Sequence, residues 1–245
     1  MIWLRSFIFN SAFLVTTAFN SILMLWVLLL PQRYVHWVAL FWLRQIDWAE
    51  RNVCGITYDV IGRENMPPGV CIVAAKHQSA WETFKVPLLF DRPAIVLKKE
   101  LLHVPIWGWF LWRSGVIPID RSRASTALTS MIKTARDMVA DGRMIVIFPQ
   151  GTRVATGVSK PYKKGVAILY EGLNLPVVPM ALDSGRLWPK NSFLKKPGHI
   201  TIEFLPPIPA GLPREDMMKR LESALEAATE RLTRADEARD AASRP

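Results

Sequence analysis

The sequence predicts an α/β fold, a largely parallel central sheet flanked by helices, preceded by an N-terminal membrane-embedded helix or helical hairpin. Three observations predict it. Apolar runs of strand length recur at residues 70–75, 94–97, 116–119, 144–148, 177–182 and 200–204, with helix-length segments such as 125–140 and 164–172 between them. That alternation is how strand–helix–strand units build a parallel sheet. No charged residue lies between Arg5 and Arg33, and five of the ten Trp fall within residues 1–48.

Taken in order, residues 7–30 as a helix would be long enough to cross a hydrocarbon core about 30 Å thick. Asn10, Ser11, Thr16, Thr17, Asn20 and Ser21 make the stretch less oily than an ideal span. The next run, 34–43, is too short to cross but apolar enough to lie in the interface. A hairpin embedded from one side is therefore an alternative to a single span. A cleaved signal peptide fits less well, since the apolar part is overlong and no small-residue cleavage site precedes Pro31. From about Thr57 the α/β pattern takes over, and Asp141-Gly142 stops the helix before the fourth strand run. After the Pro-rich stretch 205–213, Met217, Leu221, Leu225, Ala228 and Leu232 step by three and four, one face of a helix expected to fray around 236–245. The organisation expected is an anchoring segment over 1–52 and an α/β domain with a C-terminal amphipathic helix over 53–245.

A chain of 245 residues holds one such domain plus its appendage. Lys and Arg number 31 against 21 acids, a net charge of +10 that suits a surface of anionic lipid headgroups. Nucleic acid is the rival partner for that charge. It is disfavoured because there is no zinc-ligand array, RNP-like aromatic motif or long basic arm. Cys54 and Cys71 stand alone, which argues against a metal site and for a reduced, cytosolic setting. Cys71 lies inside an apolar run, where a small buried hydrophobe is the expected role rather than a reactive thiol.

Two stretches carry chemistry. In Lys76-His77-Gln78-Ser79-Ala80-Trp81-Glu82-Thr83, placed directly after a strand run, residues five apart on a continuous helix would point about 140° away from each other. If His77 instead sits in the strand-to-helix turn and Glu82 in the first turns of the helix, the carboxylate reaches back to hold the imidazole in one tautomer, as a general base requires. Ser79 fits a helix cap; as a nucleophile it lacks a strained G-x-S-x-G elbow. In Phe148-Pro149-Gln150-Gly151-Thr152-Arg153, Pro and Gly force a tight loop that exposes backbone N–H groups, while Arg153 adds a cationic fork, a composition suited to phosphate.

These two stretches resemble, in order and separation, the HX4D/E and FPEGTR motifs of the glycerolipid acyltransferases. Lys98-Lys99-Glu100-Leu101, Pro105, Gly108-Trp109 and the stretch from Gly115 to Arg121 are similar to the family's KxEL…P…GW and GxxxIDR region, and Leu175-Pro176-Val177-Val178-Pro179 to its fourth block. The likeness covers roughly residues 63–207, and the whole layout resembles bacterial enzymes that acylate 1-acylglycerol-3-phosphate. Two positions depart from the pattern: Glu82 stands where Asp is commoner, and Gln150 where Glu is usual. The resemblance implies direct transfer of a fatty acyl chain from acyl-CoA or acyl-ACP (acyl carrier protein) to the sn-2 hydroxyl of lysophosphatidic acid, forming phosphatidic acid without an acyl-enzyme, a cofactor or a metal. His77 would be the base and Glu82 its orienting acid. Lys98, Arg121 and Arg153 are the candidates for the acceptor's phosphate, with Gly151 and Thr152 shaping the loop and Gln150 a further substrate-binding candidate. The apolar block 103–112 would line an acyl channel or dip into the bilayer, with ordinary core packing the alternative for part of it. Partners are then membrane lipids, the lysophospholipid acceptor and the thioester donor, at a bacterial inner membrane with the site on the cytoplasmic side. Gln150 keeps other acceptors open, a lyso-ornithine lipid or glycerol 3-phosphate among them; a membrane-bound thioester hydrolase and a non-catalytic membrane module are the readings from other classes.

Overall fold

The computed structural model describes residues 1–120 and 124–242. Helix α1 (Ile2–Leu23) does not run on to residue 30 as the apolar run suggests. It gives way to a 3-10 turn (Leu25–Leu29), and Leu30 is held extended before Pro31, the conformation a following proline favours. Helix α2 (Gln32–Ala49) then returns antiparallel. The residues that made the first stretch less oily form the seam: Trp42 Nε1 donates to Thr17 Oγ1 at 3.2 Å, and Asn20 Nδ2 to Gln45 Oε1 at 3.3 Å. Alone, α1 is long and apolar enough to cross a membrane. In the fold one side of it lies against the α/β body, where Phe9 and Ser6 are buried, while Trp3, Phe7, Leu14, Val15 and Phe19 face outward. A π-helical turn (Glu50–Cys54) closes the hairpin on Gly55, whose positive φ of 72° reverses the chain.

The body is a seven-stranded sheet of order β1-β7-β6-β2-β5-β3-β4, with β1 (Ile56–Ile61), β2 (Ile72–Ala75), β3 (Ala94–Lys98), β4 (Ile117–Ile119), β5 (Ile145–Ile147), β6 (Val177–Leu182) and β7 (Gly198–Phe204). The six strand runs predicted are present. Five of the strands are mutually parallel, whereas β7 pairs antiparallel with β6 and carries β1 parallel to itself. The sheet is thus largely parallel with a reversed edge. β1, absent from the predicted runs, is an edge strand of alternating burial that includes exposed polar positions.

The sheet is sandwiched. β2 sends Ile72 and Ala74 to one face, where α5 (Ala124–Ala140), α6 (Gly165–Leu173) and α7 (Arg214–Ala242) pack, and Val73 and Ala75 to the other, beneath α3 (Trp81–Leu89) and the hairpin. Fully buried on both sides, β2 reads in sequence as an unbroken apolar run. Helix α4 (Trp107–Arg113), from the block 103–112, packs on the hairpin rather than on the sheet. Arg113 donates to the carbonyls of Leu28 and Leu30, and Trp109 and Trp112 remain exposed.

The C-terminal helix corrects an expectation. Instead of fraying from 236, α7 stays helical to Ala242, and Asp236 and Asp240 are buried. Spaced four apart, the two acids continue its inner stripe. Thr201 Oγ1 donates to Asp236 at 3.2 Å, the His199 N–H to Asp240 at 3.0 Å, and Arg186 pairs with Asp240. Charges that look solvated in sequence lie buried against β7, Asp240 bonded to the His199 N–H and paired with Arg186, and Asp236 bonded through one oxygen while its Oδ2 has no partner among the described residues.

Candidate active site

All of the turns that matter leave the carboxyl ends of the parallel strands, the end at which open α/β sheets bind ligands. β2 ends at Ala75. Lys76 continues the β2 alternation toward α7, where its ammonium pairs with Glu226, which also accepts from the Tyr162 hydroxyl at 2.8 Å. His77 faces the opposite way, and α3 starts at Trp81. With His77 in the turn and Glu82 in the first turn of α3, the carboxylate reaches back as expected: His77 Nδ1 and Glu82 Oε1 are 2.8 Å apart.

Glu82 is fully buried, and its carboxylate is saturated. Oε1 also accepts from the backbone N–H groups of Gln78 and Ser79, both at 2.7 Å, and Oε2 from the Ser184 hydroxyl at 2.6 Å. An ionised carboxylate only accepts, so Nδ1 is the protonated ring nitrogen. Nε2 is left with a lone pair and has no hydrogen-bond partner among the described residues.

Ser79 is buried, and its hydroxyl accepts from the Trp81 N–H at 3.1 Å, a helix-start contact rather than the setting of a nucleophile. Cys71 is buried likewise, and burial pushes its thiol up to about 12, which removes it from nucleophilic chemistry. Helix α3 is itself clamped to the hairpin. Glu50 Oε2 accepts from Trp81 Nε1 at 2.9 Å and from Lys85 Nζ at 2.5 Å, while Lys85 also reaches Asp47 at 2.6 Å. Desolvation raises the Glu50 carboxyl, against the pull of Lys85.

The second stretch meets the first directly. Strand β5 lies beside β2, and Phe148, just beyond it, stacks on the His77 ring with centroids 4.1 Å apart and planes 24° from parallel. The chain then turns tightly, Gly151 N–H to Phe148 O at 2.9 Å with φ 66° at Gly151, and returns so that the Val154 N–H donates to the His77 carbonyl at 2.8 Å. Thr152 and Arg153 are partly exposed on this loop. Arg153 has no carboxylate partner among the described residues; its one contact is Asn191 Oδ1 at 3.4 Å. Gln150 behaves differently from its neighbours. It is buried, and neither end of its amide has a hydrogen-bond partner among the described residues. Lys98 is exposed at the end of β3, two strands from β2 and so roughly 10 Å across the sheet. Arg121 lies outside the described residues. No group of three metal-ligating side chains occurs among the described residues.

Ser184, Gly185 and Gln78 complete the site and are missing from the candidates read in sequence. The turn after β6 supplies the Ser184 hydroxyl to Glu82, and its Gly185 N–H donates to Gln78 Oε1 at 3.0 Å. Beside them burial pushes the Asp183 carboxyl up to about 6, with Arg186 opposing. The available signal is positional: a small polar residue just past a buried parallel strand, at the same sheet end as His77.

The family profile described as "Acyltransferase" matches residues 57–183, more than half of the chain. The chain belongs to that family. Among curated members, a 1-acyl-sn-glycerol-3-phosphate acyltransferase of Pseudomonas aeruginosa is 40% identical over 161 residues, 66% of this chain and 63% of that protein. The Cocos nucifera protein of the same description is 34% identical over 139 residues, 56% of this chain and 45% of its own length. The matches thus span less than two thirds of those relatives. The fold matches the crystal structure of the 1-acyl-sn-glycerophosphate (LPA) acyltransferase PlsC from Thermotoga maritima, with a TM-score of 0.77 at 21% identity over 95% of this chain and 98% of that one.

Proposed function

We propose that the protein transfers a fatty acyl chain from acyl-CoA or acyl-ACP to the sn-2 hydroxyl of 1-acylglycerol-3-phosphate, yielding phosphatidic acid. The observation that carries the reading is His77, with Nδ1 fixed on a saturated carboxylate and Nε2 open, packed against a loop whose Arg153 guanidinium has no carboxylate partner among the described residues. His77 Nε2 takes the proton of the acceptor hydroxyl as its oxygen attacks the thioester carbonyl. The tetrahedral intermediate then collapses with loss of the thiolate, which recovers the proton from the imidazolium. Glu82 orients the ring and stabilises its transient charge. Arg153 grips the acceptor's phosphate, with Lys98 and Arg121 as further candidates, and Gly151 and Thr152 shape the loop. Water replacing the lipid hydroxyl at the same base would make a hydrolase, and the buried, unpartnered Gln150 favours a neutral hydrogen-bonding partner that another lysolipid headgroup could supply.

Residues 1–52 serve attachment. Because one side of α1 is buried on the body and α2 folds back along it, the hairpin lies in one leaflet, at the cytoplasmic side of a bacterial inner membrane. The test is incubation of the purified protein with acyl-CoA or acyl-ACP and a panel of lysolipids. Phosphatidic acid formed from lysophosphatidic acid in preference to other acceptors supports the reading; fatty acid release that ignores the acceptor overturns it.

A further inference from the structure

The chain between the turn at Ser184–Arg186 and β7, residues 187–197, is bound along the first turns of α1. The Lys195 N–H donates to Ser6 Oγ at 2.9 Å, Asn10 Nδ2 donates to Phe193 O at 2.9 Å, and Trp188 meets the Phe9 ring edge-on at 5.3 Å. Lys195 is turned inward. Its ammonium donates to the carbonyls of Ser192 and Phe193 at 2.9 and 3.1 Å and lies 4.7 Å from the centre of the Trp188 ring. Buried without a carboxylate partner among the described residues, it is spent on holding the loop's shape.

The outer side of the loop has another character. Phe193, 40% exposed, packs at 4.8 Å on Trp3, itself 68% exposed and continuous with the outward Leu4 and Phe7 of α1. Lys190 and Lys196 stand three residues either side of Phe193, exposed and without acidic partners among the described residues, and the Arg5 guanidinium and Pro197 both border Gly55. From Ser184 to Ile202 the chain has four cations and no acid. Arg186 and Lys195 are used internally, and the outward Lys190 and Lys196 have no acidic partner among the described residues.

We propose that loop 187–197 is a second lipid contact, an anionic-headgroup shelf continuous with the hairpin: Phe193 and Trp3 enter the interface while Lys190, Lys196 and Arg5 lie against negatively charged headgroups. It rests on the membrane attachment proposed above. The occupant is a bilayer rather than an acidic protein because the cations frame exposed aromatic side chains that extend the outward apolar face of α1. Internal hydrogen bonds already fix the loop, so docking orders little additional chain. Through Asn191 the shelf touches Arg153, which places the headgroup layer next to the acceptor's proposed phosphate grip.

The test is partition of the full chain onto vesicles of phosphatidylcholine alone and of phosphatidylcholine mixed with phosphatidylglycerol. Each juxtamembrane cation contributes roughly fivefold to binding an anionic surface. Lys190→Gln with Lys196→Gln should therefore weaken partition onto the mixed vesicles by roughly tenfold or more while leaving neutral vesicles and the melting temperature unchanged. Phe193→Ser should weaken both partitions. Unchanged partition of the double variant onto mixed vesicles overturns the proposal. So does a double variant that keeps its vesicle binding but loses acyl-ACP use relative to acyl-CoA, since that makes the surface a protein dock. Partition is read without acyl transfer, so an inactive but anion-selective protein would sink the catalytic reading and leave this one standing.

Discussion

The turns after β2 and β5 leave neighbouring parallel strands at the same end of the sheet, yet their polar groups are finished in opposite ways. After β2, the Glu82 carboxylate has four donors, the Gln78 amide oxygen accepts from Gly185, and His77 is fixed at Nδ1. After β5, among the described residues, Gln150 is buried with its amide unmatched, and Arg153 has a long contact to Asn191 and no carboxylate partner. A buried polar group left unpaired costs on the order of 1–3 kcal/mol. The difference separates tasks. The closed network holds one proton in one place, whereas the open loop has hydrogen-bonding capacity that a ligand can complete.

The largest expected effect lies in the closed turn. His77→Ala removes the proposed base and should lower kcat by at least about 10²–10⁴-fold, with melting temperature and vesicle binding retained. Near-normal turnover would mean that the site so carefully closed is structural. Next comes the open loop. Arg153→Ala should raise KM for a phosphate-bearing lysolipid by about 10–100-fold, the worth of a hydrogen bond to a charged group, and change the thioester KM much less. Arg153→Lys should recover little, because a point charge does not reproduce a two-pronged contact. An equal loss on monoacylglycerol would remove the phosphate from the explanation. Smaller again, Ser184→Ala withdraws one of the four donors to Glu82. Its kcat should fall roughly tenfold, about 1–1.5 kcal/mol, with both KM values nearly unchanged; a KM effect instead would move the post-β6 turn to the substrate side.

How much of this is legible in sequence follows the same division. Local contacts are readable: His77 and Glu82 meet across a turn whose geometry five residues of spacing can dictate, and the strand runs announce themselves because β2, β5 and β6 are buried on both faces. Contacts that need topology are not. Ser184 reaches Glu82 across 102 residues, only because β6 lies beside β2. The reversal of β7 is equally hidden, since an apolar run has no direction, and it is that reversal which brings loop 187–197 back to α1. The end of α7 misleads for a related reason: Asp236 and Asp240 look like solvated charges until β7 and Arg186 are seen opposite them. Gln150 marks a departure from the motif in sequence, but its isolation appears only once the loop is folded.

The smallest effect is the sharpest discriminator, because it applies one substitution to both turns. Gln78 and Gln150 are each buried, and methionine has nearly the same length and volume without the amide. At position 78 the change strips the Gly185 N–H of its acceptor inside the protein, which should cost about 1–3 kcal/mol and lower the melting temperature by several degrees. At position 150 no group among the described residues loses a partner, so removing the amide should leave stability unchanged or raise it slightly. The functional signs should then cross. Gln150→Met, harmless to the fold, should weaken the lysolipid KM if the amide is completed by the acceptor, whereas Gln78→Met should leave that KM alone and loosen the turn that carries Ser184. Equal destabilisation by the two substitutions would show that the β5 turn is closed after all, and that its polar groups serve the fold rather than the ligand.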